Sequence, residues 1–245
     1  MIFQKNPCTV RGRLRRCWLF VYRTPVESAR ALLPPQLEPV VREGFAFWNI
    51  VVCEIGGLRP ALLPAAAGLD YWHVAYRLHV RAQTESGAVV EGLHFLRSDC
   101  DSALVALAGN VVTDFRFHHA SVAISEEPSG ITGQIRARGG DADFLLSREA
   151  PAGLTAGSPF SSLGEAADWL KYKPFGISPC GDETINVVRV ARDEAAWRSR
   201  LVTVEKARWE FLEQHETALE ICYEVGPIDY QWERGRIVRV KQCAS

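Results

Sequence analysis

The stretch HFLRSDCDSALVALAGNVVTDFRFHHASVAI, residues 94–124, holds more polar chemistry than any other segment of similar length in this 245-residue chain. Its pattern predicts a strand, a polar turn, a short helix and a returning strand. Arginine, serine and aspartate crowd the turn, and one arginine and two histidines stand near the start of the returning strand. The stretch is therefore the first candidate for the centre of the fold and for a functional site.

The short helix of this stretch has start and stop signals of unequal clarity. Asp99 or Ser98 is the residue type that caps a helix start, and Ala103, Leu104 and Leu107 follow at helical spacing. Gly109 either ends the helix or permits close packing within it, and the sequence does not separate the two.

Composition excludes several classes of protein. Apolar residues make up 47% and charged residues 23% of the chain, as in ordinary globular domains. The formal charge of −1 does not favour a nucleic-acid partner, because such proteins carry a clearly basic face. The arginine cluster between Arg11 and Arg16 is typical of a solvated surface. We expect one domain over residues 1–245.

Cysteine usage indicates a reducing compartment. Seven cysteines occur, at positions 8, 17, 53, 100, 180, 222 and 243, and none forms a CxxC pair. This spacing predicts neither a disulfide framework nor a zinc ribbon. The apolar run at 17–22 is too short for a signal peptide or for the roughly 20 residues of a membrane span. A cytoplasmic protein without a membrane partner is expected.

Strands separated by turn signals dominate the remaining chain. Residues 14–23 predict a strand, and Thr24, Pro25 and Glu27 predict a capped helix that stops at the prolines 34–35. A hairpin joins 71–81 to 88–96. Further strands are predicted at 37–42, 45–55, 113–124, 131–138, 144–147, 184–190, 217–225 and 235–241, a loop at 56–70, and helices at 162–172 and 203–214. This pattern predicts an α+β fold dominated by antiparallel sheet.

Two segments resemble the acetoacetate decarboxylase superfamily. The string VYRT at 21–24, followed by a capped helix and LLPPQLEP at 32–39, looks like its N-terminal signature. Residues 94–124 resemble its central catalytic segment, and the chain looks closest to the uncharacterised YqjF-like group. The resemblance implies a cone-shaped closed β-barrel that is flanked by short helices and encloses a small cavity.

The chemistry of that superfamily does not carry over with the fold. The decarboxylase forms a Schiff base through a lysine whose pKa is lowered by an adjacent lysine. Phe117 stands here where the resemblance places that lysine, and His118 where it places its neighbour. No lysine occurs between residues 6 and 170. Classical acetoacetate decarboxylase activity is therefore not expected. Proteins of one superfamily can share a fold and differ in mechanism.

The candidate site residues divide by chemical role. Arg23 resembles the cavity arginine of the superfamily and could bind a carboxylate bidentately, as could Arg116; each could also be structural. His118 and His119 are candidate proton-transfer groups, and both have the alternative of a wall or surface position. Because strand alternation puts Phe117 and His119 on one face, an inward Phe117 favours His119.

Three further expectations complete the site. Phe115 and Phe117 would keep the cavity dry. Asp99 is a further candidate for substrate binding, and its alternatives are a helix start or a buried pair with Arg97 or Arg116. The six histidines show no HxH or HExxH spacing, so no metal and no cofactor is expected. No nucleotide-binding glycine motif or GxSxG string occurs either.

Two functions are compatible with these residues. The first is an enzyme, lyase-like or hydratase-like, that acts on a small carboxylate or carbonyl compound without a Schiff base. The second is a non-catalytic protein that binds a small ligand or acts as a scaffold. The sequence leaves the oligomeric state open, and a homo-oligomer is one of the forms it allows.

Overall fold

Two β-sheets, of twelve and four strands, make up most of the computed structural model, which describes residues 5–171 and 173–241. Short helices connect some strands. The strands are β1 (Val10–Pro25), β2 (Glu38–Pro39), β3 (Phe45–Pro60), β4 (Leu69–Gln83), β5 (Val89–Cys100), β6 (Phe117–His119), β7 (Ser121–Glu127), β8 (Gly130–Arg136), β9 (Ala142–Ser147), β10 (Phe175–Gly181), β11 (Thr184–Arg192), β12 (Ser199–Leu201), β13 (Thr203–Trp209), β14 (Ala218–Val225), β15 (Ile228–Trp232) and β16 (Arg236–Arg239). The α-helices are α1 (Val26–Arg30), α2 (Ala103–Val112) and α3 (Leu163–Trp169), and 3-10 turns lie at Ala65–Ala67 and Glu210–Leu212.

Strand β1 organises the larger sheet. One edge pairs with β3 over the whole strand, and the other edge pairs with β15 near the start and with β14 further on. The pairings continue from β3 through β4, β5, β10 and β11 to β15, and so return to β1. The joins of β5 to β10 and of β5 to β6 are parallel, and the other described pairings are antiparallel. The prediction of a mainly antiparallel sheet with few helices is confirmed.

The turn between β2 and β3 follows from its sequence. Glu43 and Gly44 both have positive φ, of 47° and 82°, as a two-residue hairpin turn of type I′ requires. Arg42 and Phe45 exchange backbone hydrogen bonds of 2.9 Å across it. The strands beside this turn differ in length from the prediction, because β2 has two residues and β3 continues to Pro60.

Both faces of the central part of β4, in the larger sheet, are buried. Val74, Tyr76 and Leu78 belong to an apolar cluster that includes Ile131 and Phe144 of the smaller sheet. The opposite face of β4, with His73, Arg77 and His79, is buried as well. The alternating polar residues of β4 therefore face an interior and not solvent.

The helix predicted at 203–214 is wrong. Residues Thr203–Trp209 form β13, which pairs with β9 at the edge of the smaller sheet, and only Glu210–Leu212 are helical. A register shift between Val204 and Lys206 breaks the alternation of the strand, so the apolar residues fall by chance at helical spacing. Trp209 is buried against Phe20 and Phe144. Pairing with β9 explains the strand better than intrinsic propensity does.

Two predicted helix caps are also wrong. The hydroxyl of Thr24 donates to the carbonyl of Glu216 at 2.7 Å, and α1 begins after Pro25 as a single turn. Strand β5 continues through Ser98 and Asp99, so neither can cap α2. Ser102 caps that helix by accepting a hydrogen bond from the backbone amide of Val105 at 3.3 Å.

The strand predicted at 113–124 is split between the two sheets. Residues 113–116 are not part of a strand, and Arg116 has a φ of 54°. Strand β6 pairs with β5 in the larger sheet, and after Ala120 the chain continues as β7 in the smaller one. The stretch at 94–124 therefore links the two sheets. Strands β10, β12 and β15 are absent from the sequence-based prediction, and its positions Tyr172 and Cys243 lie outside the described residues.

The helices within the described ranges are short. The longest, α2, has ten residues, and none of those described is long and apolar enough to traverse a bilayer.

Candidate ligand-binding cavity

A cavity of about 380 Å³ lies against the paired strands β1, β3, β4, β5, β11 and β15, on the side where α2 packs. This volume is within the range of small-molecule sites. Most of its lining is apolar or aromatic, with residues such as Leu14, Leu19, Val51, Ile55, Phe95 and Trp232. Burial of the apolar part of a ligand in this cavity would therefore contribute favourable free energy to binding.

Phe115 and Phe117 both line the cavity, and the segment around them explains why. The side chain of Asn110 accepts from the backbone amide of Phe117 and donates to its carbonyl, both at 2.7 Å. Gly109 lies within α2 and a Cβ there would meet the Phe117 ring at 2.5 Å. Gly109 thus permits close packing, which decides between the two predicted roles. The positive φ of Arg116 turns its exposed side chain away between the two phenylalanines.

His73 contributes an uncharged polar group to the cavity. Its ring stacks on Phe117, and its Nε2 has no hydrogen-bond partner among the described residues. Burial, with a smaller effect from the charge of Arg77, lowers the pKa of His73 to about 3. The imidazole is therefore neutral at pH 7 and can donate or accept one hydrogen bond, depending on its tautomer.

Arg77 contributes positive charge to the same wall. Its guanidinium donates to the side-chain oxygen of Asn49 and, through Nε, to the Asn49 carbonyl at 3.4 Å. It also lies over the ring of Phe95, 5.5 Å from the centroid. The described lining includes Arg59 and Arg192 as well, but no lysine, aspartate or glutamate. The cavity wall therefore favours a negatively charged or polarised ligand group.

A row of thiols and one imidazole crosses the larger sheet, and all of its members except Cys100 line the cavity. Cys17, Cys53, His73 and Cys100 are successive register partners on β1, β3, β4 and β5. The hydrogen bond of Cys53 with Cys17, followed by burial, raises the pKa of Cys53 well above its ordinary value. Among the described residues, no group of three histidine, cysteine or acidic side chains is arranged to hold a metal ion.

Arg23 lies elsewhere, although it is buried. Its guanidinium pairs with Glu220, and its Nη2 donates to the carbonyl of Ala156 at 2.7 Å. Ser158 donates to the other oxygen of Glu220 at 2.6 Å. Arg23 does not line the cavity. These contacts join β1, β14 and the loop at 151–161.

The two candidate histidines lie at the surface. His118 is about half exposed, with Nδ1 3.8 Å from a carboxylate oxygen of Asp99, and His119 lines a shallow outer depression. Phe117 and His119 alternate as expected, but His119 lies about 7 Å further along the chain and outside the cavity. The structure therefore brings Phe115 and Phe117 to the cavity and leaves both histidines and Arg116 outside it.

Asp99 is fully buried on the other face of β5. Arg97 donates to both of its carboxylate oxygens, at 3.0 and 2.9 Å. Of the alternatives that the sequence left open, the structure therefore shows the buried pair with Arg97. Burial raises the pKa of Asp99, and Arg97 opposes this shift. The pair also holds the hairpin of the smaller sheet, because Arg97 Nη2 donates to the Arg138 carbonyl at 2.9 Å.

The polar cavity residues His73 and Arg77 did not stand out as a site in the sequence. The available signal was their alternation on β4 with apolar residues, which equally describes a strand with one solvated face. Cys17 and Cys53 lie on different strands, and only their register brings them together.

Solved structures with the same architecture define the class of fold. An acetoacetate decarboxylase-like enzyme from Sphingomonas wittichii RW1 superposes with a TM-score of 0.60 at 14% identity, covering 97% of this chain and 95% of that one. Acetoacetate decarboxylase from Legionella pneumophila subsp. pneumophila str. Philadelphia 1 gives 0.61 at 14%, covering 96% and 88%. The enduracididine biosynthesis enzyme MppR, complexed with pyruvate, gives 0.59 at 12%, covering 96% and 91%. The fold is therefore acetoacetate decarboxylase-like.

The sequence also matches a family directly. Residues 11–229 match DUF2071, a family of uncharacterized conserved proteins (COG2071), and the chain belongs to that family. A comparison with curated proteins gave no match. The resemblance expected from the sequence is confirmed for the fold by these solved structures, and the family is shown by the match to DUF2071.

Proposed function

We propose that this protein binds a small carboxylate or carbonyl compound with an apolar body in its cavity, without Schiff-base chemistry. The strands whose pairings return to β1 would then be the cone-shaped closed barrel of the superfamily, flanked by short helices. The observation that carries the proposal is the placement of Arg77 and His73 in a mostly apolar cavity of about 380 Å³.

The polar groups favour a ligand with one polar end. A carboxylate could accept hydrogen bonds from the guanidinium of Arg77, which is held in the wall by Asn49. A carbonyl or hydroxyl oxygen could pair with Nε2 of His73. Because the rest of the lining is mostly apolar, the remainder of the ligand should be apolar too.

The lining gives no support to imine formation. Phe117, which the resemblance aligns with the Schiff-base lysine, lines the cavity, and no lysine is found among the described lining residues. The structural neighbour MppR was solved with pyruvate, which supports keto-acid binding as a property that this fold can provide. A keto acid is therefore a suitable first probe for this chain.

The titration of the cavity groups supports binding rather than proton transfer. His73 stays neutral down to a pKa of about 3, and the raised pKa of Cys53 keeps its thiol protonated. General acid–base catalysis is most efficient when the pKa of the group lies near the working pH. A lyase-like or hydratase-like reaction would also need a proton-transfer group inside, whereas His118 and His119 lie outside.

A cavity-filling variant tests this proposal. Val51 lines the cavity, so Val51→Trp should abolish binding of 2-oxooctanoate in isothermal titration calorimetry while circular dichroism shows an intact fold. Val41 is 42% exposed and lies outside the cavity, so Val41→Trp is the matched control and should bind normally. Equal binding by Val51→Trp and wild type would place the ligand elsewhere.

A further inference from the structure

An arginine-rich groove runs along the outside of the wall at the start of β1. Arg11, Arg13 and Arg15 alternate on one exposed face of the strand, and the groove lined by them has a volume of about 700 Å³. Arg59 and Arg192 complete the lining, and Asp229 is its one acidic residue in the described part of the chain. Exposed arginines at alternate positions are also found on ordinary solvated strands. Here they line a concave, positively charged surface.

Glycines make the groove possible. Gly12, Gly56 and Gly57 lie in its lining and present no side chains. A Cβ on Gly56 would collide with the guanidinium of Arg15, which lies across the backbone at this point. A Cβ on Gly12 would come within 3.2 Å of Leu58. The absence of a side chain at Gly56 therefore lets the Arg15 guanidinium lie against the backbone within the groove lining.

Within residues 5–171 and 173–241, only part of this positive charge is paired with acidic side chains. Arg13 pairs with Asp229 at 2.9 Å, and Arg15 pairs with Asp70 at 2.6 Å. Arg11 has no acidic partner among the described residues. Arg59 donates through Nη1 to the Gly57 carbonyl at 2.9 Å, while its buried Nε has no partner in the described structure. Two guanidinium groups are thus available to an anion.

The groove adjoins the apolar cavity. Arg59, Arg192 and Tyr230 belong to the linings of both. Arg11 and Arg59 are register partners on β1 and β3, so their side chains stand next to each other at this junction. A ligand whose apolar part fills the cavity would therefore place its head beside two or more arginines.

We propose that the ligand is an acyl compound whose head carries phosphate, with the acyl chain in the cavity and the phosphate in the groove. This inference rests on the proposed function, because it uses the same cavity. Several guanidinium groups around one head exceed what a single carboxylate can engage, whereas a phosphate offers three acceptor oxygens and a double charge. Planar guanidinium groups are suited to such bidentate contacts.

Three probes of equal chain length test the inference. Decanoyl-coenzyme A and decanoyl lysophosphatidic acid carry phosphate, and decanoate does not; their affinities are measured by calorimetry at low and high salt. At least one phosphorylated probe should bind about tenfold more tightly than decanoate, the gain expected of one or two charged hydrogen bonds. This preference should shrink at high salt, since the groove is solvent-exposed. Which of the two binds more tightly distinguishes a coenzyme thioester from a lipid.

Charge-removing variants locate the effect. Arg11→Gln, at a residue that lines the groove but not the cavity, should reduce the preference for phosphate and leave decanoate binding unchanged. Arg30→Gln, at an exposed arginine of α1 outside both linings, is the matched control and should retain the preference. Decanoate bound as tightly as both phosphorylated probes would overturn this inference alone. Failure of all three probes to bind would overturn it together with the proposed function.

Discussion

The ring of Phe117 stacks on the imidazole of His73, with the ring centroids 5.1 Å apart and the planes inclined by 28°. Phe117 belongs to the short strand β6 after α2, and His73 belongs to β4 of the larger sheet. The contact therefore joins the α2 segment to the cavity wall. An aromatic ring, rather than an amine, lies beside the polar residue of the cavity at this position.

Packing of Phe117 on α2 can be tested at Gly109. Alanine normally stabilises a helix relative to glycine, but the Cβ of Gly109→Ala would lie 2.5 Å from the Phe117 ring. We expect the overlap to dominate and the free energy of unfolding to fall by about 1–3 kcal/mol. Urea denaturation measures this change. Adding Phe117→Leu should recover part of the loss, and a stabilised Gly109→Ala protein would show that the ring does not pack there.

Buried histidines should make the protein sensitive to acid. Burial holds the pKa of His73 and His79 at about 3 and that of His94 at about 4, against an ordinary value of 6.5 in the unfolded chain. The unfolded chain therefore binds protons below pH 6.5 that the folded chain does not. Stability should fall as pH drops from 7 toward 4, with each histidine contributing up to about 1.4 kcal/mol per pH unit.

His79 isolates one of these contributions. Neither of its ring nitrogens has a hydrogen-bond partner in the described part of the chain, so His79→Leu should also relieve a buried unpaired group. The variant should be more stable than wild type at pH 7 by about 1 kcal/mol, and its advantage should grow as the pH falls. Thermal unfolding over a pH series measures both. His118→Leu, at a half-exposed ring that contacts the Ser98 carbonyl, relieves no buried unpaired group and should bring no gain in stability at pH 7.

The ion pair of Arg23 with Glu220 predicts a structural effect. Arg23→Ala leaves the fully buried carboxylate of Glu220 without its partner and should cost about 3–5 kcal/mol. Arg23→Ala combined with Glu220→Gln should cost less, because no buried charge is left unpaired. Since Arg23 does not line the cavity, the folded variant should bind 2-oxooctanoate as wild type does. Loss of binding without loss of stability would instead make Arg23 a ligand contact.

Thiol reactivity provides a test of the cavity wall. Cys8 is exposed, whereas Cys17 and Cys53 are buried, and the raised pKa of Cys53 leaves little of the reactive thiolate at neutral pH. In a protein with Cys8→Ser and Cys243→Ser, an aromatic disulfide reagent should label Cys53 only on unfolding. Mass spectrometry of the labelled peptides identifies the site. Rapid labelling of Cys53 in the native protein would contradict this burial.

The sequence was most informative where local chemistry alone sets the structure. Alternation of apolar and polar residues predicts the hairpin at 71–96. Turn residues predict the tight turn at Glu43 and Gly44, and helical spacing predicts α2. The segment at 203–209 did not, because its pairing with β9 is a long-range contact and its bulge hides the period of a strand. Thr24 was misjudged because a distant carbonyl, that of Glu216, competes for its hydroxyl.

The site was harder to predict because its residues meet only through sheet register. Phe115 and Phe117 could be assigned to the cavity from the resemblance to the superfamily. His73 and Arg77 lie on a strand whose second face could have been solvated, and nothing local to β4 shows that α2 covers it. In the sequence, the arginines at 11–16 have the same pattern as a solvated strand face. They line a groove only because residues of β3, β11 and β15 lie beside them.

Recognition of a carboxylate by Arg77 can be separated from binding of the apolar chain by comparing two ligands. Calorimetry measures the affinity of wild type and Arg77→Gln for 2-oxooctanoate and for 2-octanone, which has an apolar chain and a carbonyl but no carboxylate. Arg77→Gln should weaken keto-acid binding by at least about tenfold, the value of one charged hydrogen bond, and leave the affinity for the ketone nearly unchanged. An equal loss for both ligands, or no loss for either, would contradict carboxylate recognition by Arg77.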